Sequence, residues 1–441
     1  MEKLFVKFNG SPIGELYHEA GKGYSFIYDD KWMRSPDGFS LSPVLDKNIK
    51  THASYVGNFF QNLLPEGKAL DDLSAYTRVS KSNVMALLAH SGKEIAGAIE
   101  ISRHNKISTT PLIPFREVTQ KELNERILSR DTMPFTVWDK KVRFSIAGYQ
   151  DKQCFFKDKN GKMYLADGEI TSNIIIKPNS VNPHLQNIVA NEHFCMQVAK
   201  KIGLNIPNFT YKKIPEPIFE VERFDRICQS DVTVERIHIV DGCQALGLPV
   251  SHKMERNFGN DRDVQDIREG VSYSLLFNLS ERTNVPIKTK HDILDWAVFN
   301  YTIGNSDAHG KNISFFMNPE GPELAPYYDL VSTEVYESVV DEMAMAIGDE
   351  FVAANVEAYD WITLANENKI PLSVLERTLN KYSYAIVNAA IEELKNEIYS
   401  PEDQKVLNKV FEIIQNRTQC LISFTNAVRY EVKANQGVHI K

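Results

Sequence analysis

Residues 304–314 read GNSDAHGKNIS and residues 325–332 read APYYDLVS, and these two segments hold the densest chemistry of the chain. Asp307 and Asn312 are five positions apart, and Asp329 lies 17 positions beyond Asn312, at the end of a short apolar run. The intervening letters NISFFM predict a strand that returns the chain to the same place. We therefore expect the three polar side chains to lie close together.

These three side chains suit a magnesium site beside a proton acceptor. One charged and one neutral oxygen ligand fit Mg²⁺, which binds few protein groups and leaves room for phosphate oxygens. The remaining aspartate can then accept a hydroxyl proton, as in kinases. His309 and Lys311 could add donors toward phosphate. The alternative is a solvated loop, because NSD and HGKN are turn-prone and a D-x4-N spacing is common by chance.

Upstream segments could hold the nucleotide. In FSIAGYQDK, residues 144–152, the small pair Ala147 and Gly148 lets backbone amides approach phosphates; a hairpin turn is the alternative. Lys177 ends the apolar run NIIIKP and could neutralise phosphates there, unless it is an ordinary strand-edge lysine. Glu192 opens a predicted helix and could pair with that lysine, as in kinases, or could lie on the helix surface.

Two further segments are ambiguous. VERFDR, residues 221–226, is a strand pattern that runs into charges, and such a strand can offer backbone groups to an adenine edge or be merely amphipathic. RVSKSNVMALLAH, residues 78–90, resembles a DNA-recognition helix. The block around it is neutral rather than basic, so direct reading of DNA by this segment is not expected.

Composition restricts the class of protein. The chain has 441 residues, 43% hydrophobic and 24% charged, which is ordinary for a globular protein of two or three domains. Residues 1–105 are neutral, so the whole net charge of −8 lies beyond them. An acidic chain is a poor nucleic-acid binder by itself, because phosphate contacts supply most non-specific affinity.

Cysteine usage and hydropathy predict a cytoplasmic protein. The five cysteines are an odd number without a C-x-x-C pair, which makes a disulfide framework or a zinc cluster improbable. No apolar run approaches the roughly 18 residues of a membrane span, and the N-terminus has no signal-peptide pattern. Strand patterns come first and helical patterns follow, so the order predicts an α+β fold.

Taken together, the ordered motifs match a known family. The chain resembles the HipA-type serine/threonine kinase toxins of bacterial toxin–antitoxin systems, over nearly its full length. The segments that carry the resemblance are FFQNLLPEG (59–67), GKEIAGAIEI (92–101), FSIAGYQDK (144–152), IIIKP (174–178), NEHFCMQVAKKIGL (191–204), VERFDR (221–226), DGCQALGLP (241–249), NSDAHGKN (305–312) and APYYDLVS (325–332). The D-x-H-x-x-N form is also similar to that of phosphatidylinositol-type lipid kinases.

The resemblance implies an α+β, bilobed, protein-kinase-like fold with a strand-rich N-terminal capping subdomain and an all-helical C-terminal lobe. The domains it implies are a HipA-like subdomain (1–105), a connector (106–140), an N-lobe part with ATP loop and hinge (141–255), and a helical C-lobe with the catalytic and metal residues (256–441).

The resemblance also implies roles for individual residues. Asp307 would be the catalytic base, Asn312 and Asp329 would hold Mg²⁺, and Lys177 would contact the phosphates of ATP. Ser145 matches the family's autophosphorylated serine, whose modification would inactivate the enzyme. The other residues expected around ATP are the loop Ala147, Gly148, Tyr149, Gln150, Asp151 and Lys152, the hinge Glu222, Arg223 and Phe224 with Asp225 beside it, and His309, Gly310, Lys311 and Tyr328.

The function that the resemblance implies is an ATP- and Mg²⁺-dependent protein kinase that acts as a toxin. Its partners would be a HipB-like helix-turn-helix antitoxin, operator DNA mainly through that antitoxin, and a translation-related protein substrate, with an aminoacyl-tRNA synthetase as one candidate. Two alternatives stay open. The chain could be mainly a co-repressor that acts with the antitoxin, or a lipid or small-molecule kinase, although no membrane-binding face is visible.

Overall fold

The computed structural model describes residues 2–49, 51–91, 95–105, 116–143, 151–166, 170–229, 234–339 and 342–435. The chain forms two compact units. We call the first the strand-rich unit; it comprises Met1–Val181, Pro207–Val250 and Ser314–Ala325. We call the second the helical unit; it comprises Asn182–Ile206, Ser251–Ile313 and Pro326–Lys441.

The first hundred residues form a four-stranded antiparallel sheet with helices. Their elements are β1 (Glu2–Phe8), β2 (Ser11–Glu19), β3 (Gly23–Tyr28), α1 (Asp30–Arg34), α2 (Ala53–Gln61), α3 (Gly67–Thr77), α4 (Val84–Ser91) and β4 (Ile99–Ser102). The sheet order is β3-β2-β1-β4. Asn9 and Gly10 join β1 to β2 with positive φ angles of 45° and 82°, as a tight hairpin turn requires. Strands β1 to β3 open the chain, as expected from the order of strand patterns before helical patterns.

The middle of the chain builds a second sheet. Its elements are β5 (Glu117–Val118), α5 (Gln120–Leu128), β6 (Val137–Trp138), β7 (Lys141–Val142), β8 (Gln153–Lys157), β9 (Met163–Leu165), β10 (Ile174–Pro178), α6 (Ile188–Lys201), β11 (Phe209–Lys213), β12 (Pro217–Glu222), β13 (Arg226–Cys228), β14 (Val234–Arg236), β15 (Ile239–Asp241) and α7 (Gly242–Leu246). Six strands pair in the order β11-β12-β10-β8-β9-β5. Phe155, Ile174, Ile176, Ile218 and Trp138 form its buried core.

The last part of the chain is mostly helical. Its elements are α8 (Tyr273–Ser280), α9 (Pro286–Ile303), β16 (Ser314–Asn318), β17 (Gly321–Leu324), β18 (Glu342–Ile347), β19 (Glu350–Val352), α10 (Ala358–Glu367), α11 (Leu372–Glu393) and α12 (Pro401–Asn435). Helix α9 begins with Pro286, whose missing N–H is unneeded at that position. Its buried residues include Trp296 and Phe299.

The expectation of an all-helical C-terminal lobe over residues 256–441 is wrong. Four strands, β16 to β19, lie in this range. Strand β16 pairs with β15, where Phe315 faces Val240 and is fully buried. Strands β18 and β19 form a hairpin that turns at Gly348, which has a φ of 62°. The strand expected from NISFFM is confirmed as β16.

The mixed α and β architecture itself agrees with the sequence analysis. Among the residues described, none of the helices combines the length and the apolar character of a membrane-spanning segment.

His238 is a buried histidine that joins the first hundred residues to the rest of the strand-rich unit. Its Nε2–H donates to the carbonyl oxygen of Leu41 at 2.9 Å, and its ring stacks on Phe39. Its buried Nδ1 has no hydrogen-bond partner within the described ranges. Burial lowers the pKa of His238 from 6.5 to about 4, because a proton on Nδ1 would place a charge where nothing solvates it.

This histidine predicts a loss of stability in acid. Between pH 6.5 and about 4 the unfolded chain binds a proton here and the folded chain does not. Stability therefore falls as the pH drops through that window, by about 2 kcal/mol near pH 5. We expect a His238→Gln variant, measured by denaturant unfolding from about pH 7.5 to about pH 5, to show a pH dependence shallower by that amount. Parallel curves for the two proteins would contradict this account.

Candidate active site

The segment after α9 is held in place by the segment that follows Asp329. Gly304 ends the helix with a φ of 68°. Its carbonyl oxygen accepts hydrogen bonds from the amides of Thr333 and Glu334, at 2.9 and 3.0 Å. In return, the amide of Ser306 donates to the Thr333 hydroxyl at 2.7 Å. The two motif segments picked out in the sequence thus lie side by side in the helical unit.

Asp307 combines a restrained backbone with an accessible carboxylate. Its carbonyl oxygen accepts from the amide of His309 and from Nδ2 of Asn312, both at 2.8 Å. The neighbours Ser306 and Ala308 are buried, whereas 47% of the Asp307 side chain is exposed. A carboxylate in this position can meet a hydroxyl group from solution without any movement of the loop.

His309 lies next to this carboxylate as a neutral ring. Burial, with the nearby ammonium groups of Lys253 and Lys311, lowers its pKa to about 3. Its Nδ1 accepts from the amide of Lys311 at 3.3 Å, so the proton of the neutral ring resides on Nε2. That atom is 3.8 Å from Oδ1 of Asp307, which is too long for a hydrogen bond. His309 therefore does not neutralise Asp307 near pH 7.

Asn305 connects the backbones of the expected catalytic base, Asp307, and the expected metal ligand, Asp329. Its Oδ1 accepts from the amide of Asp307 at 3.2 Å. Its Nδ2 donates to Oδ1 of Asn300 at 2.7 Å and to the carbonyl oxygen of Asp329 at 3.3 Å. Asp329 has a left-handed φ of 52°, which aspartate tolerates better than most residues. Asn305 lies inside the motif NSDAHGKN, but the spacing of this motif indicates no role for it.

Asn191 is a second residue that sequence reasoning missed. It lies in α6 and is fully buried. Its Oδ1 accepts from the amide of Ser332 at 3.0 Å, and its Nδ2 donates to the carbonyl oxygen of Ser332 at 2.8 Å. The sequence signal for a buried polar contact was an asparagine inside the apolar pattern of this helix, directly before Glu192. Glu192 belongs to the helical unit and Lys177 to the strand-rich unit, and their pairing stays a prediction.

The other residues expected in this half of the site are also close to the loop. The Tyr328 hydroxyl donates to the carbonyl oxygen of Lys311 at 2.7 Å. The Gly310 amide donates to the carbonyl oxygen of Lys253 at 2.8 Å. A Cβ at Gly310 would lie 2.4 Å from Cγ2 of Val271, so only glycine fits there.

The donor set fits a magnesium ion that is bound together with phosphates. Because Nδ2 of Asn312 is occupied by the Asp307 carbonyl, its Oδ1 is the atom left for a metal, and the Asp329 carboxylate is the second expected ligand. No group of three or more His, Cys, Asp or Glu side chains that could hold a metal occurs in the described residues. A pair of oxygen ligands completed by water and phosphate is what Mg²⁺ accepts.

Lys177 and Lys152 occupy buried positions in the strand-rich unit. Lys177 lies in β10 opposite Phe219 of β12, and its ammonium group is 5.9 Å from the centre of that ring. Asp151 is 3.8 Å from the guanidinium of Arg130. Ser145 and the loop residues Ala147, Gly148, Tyr149 and Gln150 lie outside the described residues.

The expected hinge begins at Glu222, the last residue of β12. Glu222 is exposed and accepts from Nδ2 of Asn208 at 2.9 Å. Phe224 meets Phe316 edge to face. The side chains of Arg223 and Asp225 are buried and bonded to each other. Any contact of these two residues with adenine would therefore have to use backbone atoms.

Comparison with known proteins places this chain in a family. The HipA N-terminal domain matches residues 4–102, and the HipA-like C-terminal domain matches residues 144–396. The chain is 40% identical over 389 residues to the serine/threonine-protein kinase toxin HipA of Shewanella oneidensis, covering 86% of each. A solved complex of Shewanella oneidensis HipA, HipB and operator DNA contains a chain that is 36% identical. This structure superposes with a TM-score of 0.85 over 97% of our chain and 99% of that one.

Fold and site thus define an enzyme of the kinase class. The chain belongs to the HipA family.

Replacement of Asn305 is expected to lower the catalytic rate without a change of fold. In an Asn305→Asp variant, the donor toward Asn300 and Asp329 becomes an oxygen that repels both acceptors. We expect the rate of phosphate transfer to fall roughly a hundredfold, because misplaced catalytic groups cost about that much. Steady-state transfer from labelled ATP would measure it. Asn355→Asp makes the same change at an exposed position of the helical unit and should keep wild-type activity. Equal rates for the two variants would contradict the role of Asn305.

Proposed function

We propose that the protein is an ATP- and Mg²⁺-dependent serine/threonine-protein kinase that acts as the toxin of a toxin–antitoxin pair. The observation that carries the proposal is the half-exposed Asp307 carboxylate on a loop bonded to the segment of Asp329. The kinase toxin of Shewanella oneidensis, 40% identical, supports the class of reaction. The proposal includes the bilobed kinase fold, with residues 1–105 as a cap, 106–140 as a connector, and lobes at 141–255 and 256–441.

In the proposed mechanism, Asp307 accepts the proton of the substrate serine or threonine hydroxyl as the phosphoryl group is transferred. Its exposure gives the hydroxyl access, and the neutral His309 leaves its charge intact. Asn312 and Asp329 would hold Mg²⁺, which when bound neutralises charge on the phosphates of ATP. Lys177 would contribute a further positive charge toward the phosphates.

The remaining residues complete the proposed ATP site. The hinge residues Glu222, Arg223 and Phe224, with Asp225 beside them, would face adenine. Residues 147–152 would cover the phosphates, and His309, Gly310, Lys311 and Tyr328 would line the site. Phosphorylation of Ser145 would inactivate the enzyme, because a dianion just before a phosphate-binding loop repels ATP. The cellular substrate would be a translation-related protein, with an aminoacyl-tRNA synthetase as the first candidate.

Phosphate transfer from labelled ATP tests the proposal directly. We expect the wild-type chain to label itself and a bacterial protein extract in the presence of Mg²⁺, and to lose labelling when Mg²⁺ is chelated. Asp307→Asn should abolish labelling, because the amide cannot accept the proton. Asp37→Asn, the same change at an exposed aspartate of the strand-rich unit, should leave it unchanged. Equal labelling by all three proteins would sink the proposal, and labelled peptides that never include Ser145 would refute its proposed modification.

A second candidate function is co-repression with an antitoxin. The solved assembly of the Shewanella oneidensis relative contains HipB and operator DNA as well as HipA, and the acidic charge beyond residue 105 would complement a basic partner. We expect a helix-turn-helix protein to be encoded beside this chain, and a complex of the two to bind operator DNA more tightly than the antitoxin alone. A gel-shift titration with wild type and Asp307→Asn measures this. If complexes with wild type and with Asp307→Asn shift the DNA equally, and more than the antitoxin alone does, co-repression does not depend on catalysis. If neither protein increases the shift given by the antitoxin alone, the co-repressor function is refuted.

A further inference from the structure

A buried cluster of charges lies where the expected hinge ends. The Asp225 carboxylate accepts from Nε and Nη2 of Arg223, at 2.9 and 2.7 Å, and from Nη1 of Arg226 at 2.7 Å. The Gly97 amide adds a fourth donor at 2.9 Å. We call Arg223, Asp225 and Arg226 the hinge triad.

Both arginines of the hinge triad also reach the domain that matches the family's N-terminal model. Nη2 of Arg223 and Nη2 of Arg226 each donate to the carbonyl oxygen of Ile95, both at 3.2 Å. Nη1 of Arg226 donates to the carbonyl oxygen of Gly97 at 2.9 Å. The turn of residues 95–97 therefore provides two acceptors and one donor, and the triad is complete only when this turn is present.

Burial makes this arrangement sensitive to the loss of any one member. Exposed fractions of the three side chains are 1% for Arg223, 4% for Asp225 and 0% for Arg226. Burial by itself raises the pKa of Asp225, but the two guanidinium groups and the Gly97 amide outweigh it and hold the pKa well below its ordinary value. A buried charge that loses its partner cannot be compensated by water, so the loss of one member destabilises the arrangement of the other two.

Backbone hydrogen bonds hold the chain on both sides of the hinge triad. The amide of Arg223 donates to the carbonyl oxygen of Asn173, next to β10, at 2.9 Å. The carbonyl oxygen of Asp225 accepts from the amide of Ile237 at 3.0 Å. Residues 222–224 lie within or directly before this bonded segment, so their carbonyl and amide directions depend on it.

Other contacts of the first hundred residues go elsewhere. Ser42 donates to the carbonyl oxygen of Gln244 at 2.7 Å, and Asn62 donates to that of Leu248 at 3.0 Å. Arg236 lies beside Glu100, at 3.6 Å, and donates to the Thr171 hydroxyl at 3.0 Å. These contacts hold the domain at α7 and β14, whereas the turn of residues 95–97 holds it to the hinge.

We propose that the turn of residues 95–97 is a positioning element for ATP, which acts on the adenine-binding hinge through the hinge triad. The inference rests on the proposed function, in which residues 222–224 contact adenine. The side chains of Asp225 and Arg226 are positioning groups in this scheme and act on ATP through the backbone of the hinge. The N-terminal domain then contributes to ATP binding through the position of the hinge. Disruption of this turn weakens ATP binding, and bound ATP stabilises the turn.

A kinetic comparison separates positioning from a merely structural role. An Arg226→Lys variant keeps the charge but loses the planar fork that reaches Asp225, Ile95 and Gly97 together. We expect the KM for ATP to rise about tenfold, within the usual range for coupling between sites, while kcat at saturating ATP stays near the wild-type value. Loss of folded protein alone would lower kcat in proportion to the active fraction and leave the KM unchanged, and that result would overturn the inference.

The matched control is Arg236→Lys. Arg236 is a buried arginine of the adjacent strand, opposite Arg226 in the β13–β14 register, and it contacts Glu100 and Thr171. We expect its KM for ATP to stay at the wild-type value. An equal rise in both variants would overturn the specific role of the hinge triad.

Hydrogen exchange on the wild-type chain provides a test that no variant's folding can obscure. With a non-hydrolysable ATP analogue and Mg²⁺, we expect slower amide exchange in peptides that cover residues 95–102, because adenine binding and the turn stabilise each other. Binding of the analogue with unchanged exchange in these peptides overturns the inference alone. Failure of the wild-type chain to bind the analogue overturns the proposed function and the inference with it.

Discussion

The hydrogen bonds of one buried asparagine are the constraint on which the proposed catalytic loop depends. Asn305 accepts from the amide of Asp307 and donates to the carbonyl oxygen of Asp329. A kinase needs a carboxylate that is open to a substrate hydroxyl and yet held in one place. The helical unit meets both needs by burying the neighbours of Asp307 and leaving its side chain half exposed. Asn191 holds the backbone of Ser332, three positions beyond Asp329, through side-chain hydrogen bonds of the same kind.

In the strand-rich unit, buried polar groups hold the expected hinge in a similar way. Buried charges destabilise a fold unless each finds partners, and in the hinge triad every charge is met by another or by a backbone group of residues 95–97. Arg223 and Asp225, which the sequence suggested as residues around adenine, are therefore engaged inside the protein. The two units thus rely on buried polar side chains that bond to backbone atoms, and these bonds determine where the exposed chemical groups lie.

Spacing and residue chemistry correctly predicted that the segments of Asp307 and Asp329 lie side by side, because the parts of this loop are local. Asp307 and Asn312 share one short segment, and the strand NISFFM returns the chain as β16. The mixed α and β fold followed from periodicity, and the family followed from several ordered motifs together. The all-helical C-terminal lobe failed because β18 and β19 are short, and their pairing depends on a turn at Gly348 that helical periodicity nearby obscured.

The sequence by itself determined the class of enzyme, its family, and the identity of the groups expected to do chemistry, since these reside in residue types at short spacings. Only the tertiary structure decided which residues hold those groups in place. Asn191 and Ser332 are 141 positions apart and Gly97 and Asp225 are 128 apart. No short-range pattern can encode such pairs, because each forms only when packing brings distant segments together and excludes water from their polar atoms.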